Sequence, residues 1–132
     1  MMQNYEGVII EESLENKDVL GDVEIVSTEV EPVTDNHKTP WVKQWTLHTV
    51  SITPDKVEEV ANKISKSLDS KHNWYADFKT ETDHYIIFRN KVFHITDRGS
   101  KAQYDEAKEH GISLGIPEYQ VDFHPEVKQW ER

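Results

Sequence analysis

A chain of 132 residues predicts one domain, and 25 acidic against 15 basic residues leave a formal charge of -10, which disfavours nonspecific nucleic-acid binding and attraction to anionic lipid. The absence of cysteine excludes disulfides, thiolate zinc sites, iron–sulfur clusters and cysteine nucleophiles. No apolar run approaches the roughly 20 residues of a membrane helix, and MMQNYEGVII has neither the basic start nor the long apolar stretch of a signal peptide, so a soluble cytoplasmic protein is expected.

Val and Ile number 23 against 5 Leu, a balance that favours pleated strands over helices. The charge is uneven. Residues 1–40 hold ten acids and only Lys17 and Lys38, whereas residues 41–132 are nearly balanced. The reading is therefore an acidic N-terminal β segment (1–40) and an α+β core (41–132). The acidic segment is either an arm for a basic partner or a solvated face that confers solubility.

In chain order, 5–12 read as a strand, and Ser13 caps a short helix reaching Leu20. Residues 22–33 alternate, placing Val23, Ile25 and Ser27 on one side and Val26, Thr28 and Val30 on the other, until Pro32 ends or edges the strand. A polar loop follows at 34–40. The strand at 43–52 shifts apolar phase between Trp45/Leu47 and Val50/Ile52, which implies a bulge or cover on both faces. Thr53 then caps a helix with Pro54 in its first position, and Val57, Val60, Ala61, Ile64 and Leu68 form one buried stripe.

Residues 73–79, 84–89 and 92–96 form hairpin strands, the second loop being Asn90-Lys91. A second helix starts at Ser100 with Gln103 completing a capping box, and Gly115 with Ile116 reads as its Schellman stop. A last strand is expected at 119–123 and a helical turn beyond it. The repeated VKQW at 42–45 and 127–130 has unmatched flanks and reads as chance. The order from 43 to 123 is close to βαββαβ. It predicts an α+β fold with a mainly antiparallel sheet, a ferredoxin-like core with two helices on one face, and an N-terminal β extension.

The segments EGVIIEESL (6–14), TPWVKQWTLH (39–48), HYIIFRNKVF (84–93) and GIPEYQVDF (115–123) resemble a small family of uncharacterised prokaryotic proteins. The resemblance spans most of the chain and implies a soluble bacterial or archaeal protein. It brings no activity, cofactor or catalytic residue.

Phosphate-loop, dinucleotide, HExxH, EF-hand and G-x-S-x-G motifs are absent, so no cofactor is predicted. The seven histidines have no metal-ligand spacing, and none is assigned to a metal. Asp77 with His84, and Asp122 with His124, are the local acid–histidine pairs. Hairpin pairing groups Ile86, Phe88, Phe93 and Ile95 on one face, which the helices are expected to cover. The other face groups Trp74, Tyr85, Arg89 and His94. Its cover is either structural (the N-terminal segment or a second subunit) or a small ligand held between aromatic walls and the two donors. Arg98, Gly99, Ser100 and Lys101 form a second candidate, an anion site at a helix N-terminus.

The leading expectation is a small binding or regulatory domain, a homodimer, with a small anionic ligand as one use of that face. The alternatives are a small enzyme acting on an anionic metabolite and an acidic protein-interaction module.

Overall fold

The computed structural model describes residues 4–34, 41–69, 71, 74–116 and 118–121. Six extended segments pair within them: Tyr5–Ile10 (β1), Glu24–Pro32 (β2), Gln44–Ile52 (β3), Tyr75–Lys79 (β4), His84–Phe88 (β5) and Lys91–Ile95 (β6). They form one sheet in the order β2-β3-β1-β4-β5-β6, with every neighbouring pair antiparallel. The fold is α+β with an antiparallel sheet, as the order of elements predicts.

The N-terminal strand is not an extension. β1 lies inside the sheet, between β3 and β4. Both neighbours run antiparallel to it, so β3 and β4 are parallel to each other and are joined by the helix Val57–Ser67 (α1). Gly7 makes the insertion possible. A Cβ there would lie 1.9 Å from the Asp77 carbonyl oxygen and 2.6 Å from Phe78 Cδ1. Only a residue without a side chain fits so close to the neighbouring strand.

The helices lie on opposite faces, which corrects the expectation of one shared face. Val57, Val60, Ala61, Ile64 and Leu68 of the α1 stripe pack with Phe78, Tyr85 and Ile87. Tyr104 and Ala107 of the second helix, Lys101–Ser113 (α2), pack with Ile86, Phe88 and Ile95. Along β5 these partners alternate, so each helix takes one face. The physical reason is the segment HYIIF, which is buried at all five positions and requires cover on both sides.

The ends of the elements follow their local chemistry. Ser100 Oγ accepts the Gln103 amide at 3.4 Å, while Gln103 Oε1 accepts the amides of Thr96 and Asp97. Gly115 has a φ of 92°, and the amides of Ile116 and Gly115 donate to the carbonyls of Gly111 and Ile112, completing the Schellman motif. The regular part of α1 begins at Val57, after a turn over 54–56 in which the Thr53 carbonyl accepts the amides of Lys56 and Val57.

Four further expectations are corrected. Ser13 caps no helix: its hydroxyl donates to the Ile10 carbonyl at 2.5 Å, and the segment holds two 3-10 turns, Glu11–Ser13 and Asp18–Asp22. The last hairpin loop is Arg89-Asn90, since Phe88 pairs with Lys91 and Asn90 takes the positive φ of 61°. The phase shift in β3, expected from a bulge or from cover on both faces, is not a bulge: β3 pairs without a break along β1, and the register shift lies in β2 between Ile25 and Ser27. The strand that would complete a ferredoxin-like order is instead a helical turn, Glu118–Val121 (α3). Its Val121 packs beside Gly111, where an added Cβ would meet Val121 Cγ1 at 2.7 Å. The loop at 35–40, the pair Asp122/His124, the end of the predicted last strand and the second VKQW lie outside the described residues.

Candidate functional site

The structure keeps Trp74, Tyr85, Arg89 and His94 on one face. The hairpin register differs from expectation by two residues, pairing Tyr85 with His94, and a shift of two preserves sidedness. α1, however, covers this face. The four residues also fall into two pairs, about 13 Å apart along β5. At one end, Trp74 is buried against Trp45, with ring centroids 5.8 Å apart, and Trp41 at 5.9 Å. Its indole N–H has no hydrogen-bond partner among the described residues. Arg89 Nη1 donates to the Leu68 carbonyl and lies 3.6 Å from Glu15.

At the other end Tyr85 stacks on His94, with centroids at 4.2 Å and planes 7° apart. His94 Nε2 is 2.7 Å from Asp83. Burial pushes the Asp83 carboxyl up, but hydrogen bonds from Thr82 and His94 outweigh it and hold the group below its ordinary range. Burial and Asp83 push the Tyr5 hydroxyl up to about 12, and burial also raises Tyr85.

The segment Arg98-Gly99-Ser100-Lys101 uses its donors internally. Arg98 donates to the Thr80 carbonyl at 2.9 Å and the Tyr104 hydroxyl at 3.4 Å. The Gly99 amide donates to Asp97 Oδ1, and Lys101 Nζ donates to both Asp105 carboxylate oxygens.

Two histidine relays join distant elements. His84 bridges Asp77 at 2.7 Å and the Tyr104 hydroxyl at 2.9 Å, all three being buried. The Asp77–His84 pair is legible in the sequence as a local acid–histidine pair; Tyr104, 20 residues from His84, has no local signal tying it to them. His48 bridges Thr28 Oγ1 at 2.9 Å and Glu11 Oε1 at 3.1 Å. The bond to His48 lowers the Glu11 carboxyl, against an opposing effect of burial. No local pattern announces this second relay, because its members lie on β2, on β3 and just past β1. Among the described residues, no group of three or more histidine or acidic side chains is placed to hold a metal.

Among the described residues, no strand pairs with the outer edge of β2. All nine residues are exposed, and Ile25, Val26 and Val30 are 41%, 62% and 59% exposed. The bulge at Val26 brings Ile25 onto the same face as Thr28 and Val30, where plain alternation separates them: Ile25 pairs with Val50, Thr28 with His48 and Val30 with Thr46. Glu24, Glu29 and Glu31 share the opposite face, pairing with Ser51, Leu47 and Trp45. β2 therefore carries an apolar side and an acidic side.

The direction of its backbone follows from one bond. The Val33 amide donates to the carbonyl of Lys43, its cross-strand partner, at 3.1 Å. In an antiparallel ladder hydrogen-bonded pairs alternate, so Glu31 and Glu29 also turn their polar groups toward β3. Thr28 and Val30 then turn their N–H and C=O groups outward. Pro32 shares that outward phase, where a missing N–H interrupts nothing. The Thr28–His48 side-chain bond agrees, since side chains approach closest in the non-hydrogen-bonded pairs.

No family model matches the chain, and no curated protein or solved structure matches it. No helix among the described residues is long and apolar enough to cross a membrane.

Proposed function

We propose that this protein is an interaction domain that captures an extended polypeptide by adding it to the sheet at β2. The observation that carries the reading is the open edge. It is nine residues long, exposed throughout, and bears three exposed apolar side chains beside outward-turned backbone groups at Thr28 and Val30. Strand addition uses such groups for affinity and alternate side chains for specificity. The opposite edge, β6, is shorter and begins at a lysine, features that discourage pairing.

The test is a nuclear magnetic resonance titration with extended peptides of differing charge. Binding should shift the Thr28 and Val30 amides most. Val30→Pro should abolish it with little change in melting temperature, because that N–H faces away from β3. Peptides that bind with shifts elsewhere, or binding that survives Val30→Pro, would overturn the reading. A dimer seen by light scattering and lost in Val30→Pro would make a second copy of this chain the occupant and overturn capture of a different segment.

A further inference from the structure

We infer that the segment taken at this edge alternates lysine or arginine with apolar side chains, an inference that rests on the strand-addition reading above. An incoming antiparallel strand exchanges hydrogen bonds with Thr28 and Val30, so Glu29 falls in a non-hydrogen-bonded pair. There the Cα atoms are about 4.5 Å apart and the side chains closest. The residue opposite Glu29 therefore meets a carboxylate at short range. Its neighbours meet the apolar side of β2, at Thr28 and Val30.

Charge decides between occupants. β2 carries Glu24, Glu29 and Glu31 and no basic residue. Glu24 and Glu29 have no ion-pair partner among the described residues. A second copy of β2, paired antiparallel in a continuous sheet, would set these acids beside their own equivalents on one shared face, and like charges directly opposite oppose pairing. A basic strand replaces each repulsion with an attraction. The bulge between Ile25 and Ser27 limits the regular ladder to the stretch from Ser27 to Pro32, so the footprint is short. Specificity then depends on a few alternate positions.

The experiment titrates the full chain with three capped hexapeptides: alternating lysine and valine, alternating glutamate and valine, and alternating lysine and serine. Amide shifts at Thr28 and Val30 are the readout. The lysine–valine peptide should bind at least tenfold more tightly than either of the others. Glu29→Gln, an exposed near-isosteric change inside the regular ladder, should weaken it about threefold, within the range of a cross-strand charge pair. If the glutamate–valine peptide binds as well with shifts at the same amides, the partner chemistry is wrong while strand addition survives. The partner chemistry is equally wrong if Glu29→Gln binds lysine–valine unchanged. If no peptide shifts those amides, or Val30→Pro leaves lysine–valine binding intact, both proposals fall.

Discussion

Ile64→Asp is expected to leave no folded protein at room temperature. Ile64 is fully buried at the middle of the α1 stripe, in the same cluster as Phe78 and Ile87. An aspartate there loses the apolar contacts and places a carboxylate among the buried apolar side chains of that cluster. Burying an unpaired ionised group costs many kcal/mol, and protonating it to avoid that cost still leaves a polar group unsatisfied. Loss of the isoleucine contacts alone costs about 2–5 kcal/mol. A domain of this kind has a net stability of roughly 5–15 kcal/mol, so the sum reaches or exceeds what holds it together. Far-ultraviolet circular dichroism and a thermal melt measure the outcome. A cooperative transition near the wild-type temperature would remove α1 from the core.

Gly7→Ala should rank second, and for a backbone reason. Alanine usually gains stability over glycine by restricting the unfolded chain, by about 0.4–1 kcal/mol at compatible sites. Gly7 is not such a site, because the added carbon would sit 1.9 Å from a carbonyl oxygen of β4, and a main-chain atom cannot swing aside as a flexible side chain can. The β1–β4 ladder, which pairs Glu6–Val8 with Lys79–Asp77, must open or shift. That ladder joins the two halves of the sheet, so the expected loss is about 3 kcal/mol or more, the scale of forced strain and broken packing. Urea denaturation of the two proteins gives the difference directly. A variant as stable as wild type would mean that β1 does not run between β3 and β4.

The contrast between these two residues shows what is legible in the sequence. Ile64 announces itself, because helical periodicity is local: every residue of the apolar stripe is buried, with Ser65 and Ser67 buried beside it. The α2 stop at Gly115 and the Ser100 cap are equally local, each set by a few neighbouring side chains. The β4–β5 register is legible for the same reason, as is the sidedness of β6 despite its two-residue slip. The place of β1 is not. It depends on pairing Tyr5 with Ile52 and Gly7 with Phe78, contacts that no short window contains. A glycine inside an apolar strand is the one available signal of close backbone approach.

The candidate sites divide in the same way. Period-two alternation places Trp74, Tyr85, Arg89 and His94 on one face, as the structure does, yet analogy with a βαββαβ order assigns both helices to the other. The run HYIIF already requires cover on both faces, and one helix for each satisfies it. The acidic charge of residues 1–40 is visible in composition. Its sorting onto one side of β2 is not, because strict alternation separates Glu24 from Glu29 and Glu31, and only the bulge at Val26 brings them onto one face.

β2 presents an outer edge that no described strand pairs, with Thr28 and Val30 turned outward. Amide hydrogen exchange of the free, uniformly labelled protein tests it most directly. Glu29 and Glu31, bonded to β3, should exchange slowly, while Thr28 and Val30 exchange at rates close to those of an unstructured chain. Protection of Thr28 and Val30 equal to that of Glu29 and Glu31 would mean that this edge is already paired, and would contradict the claim.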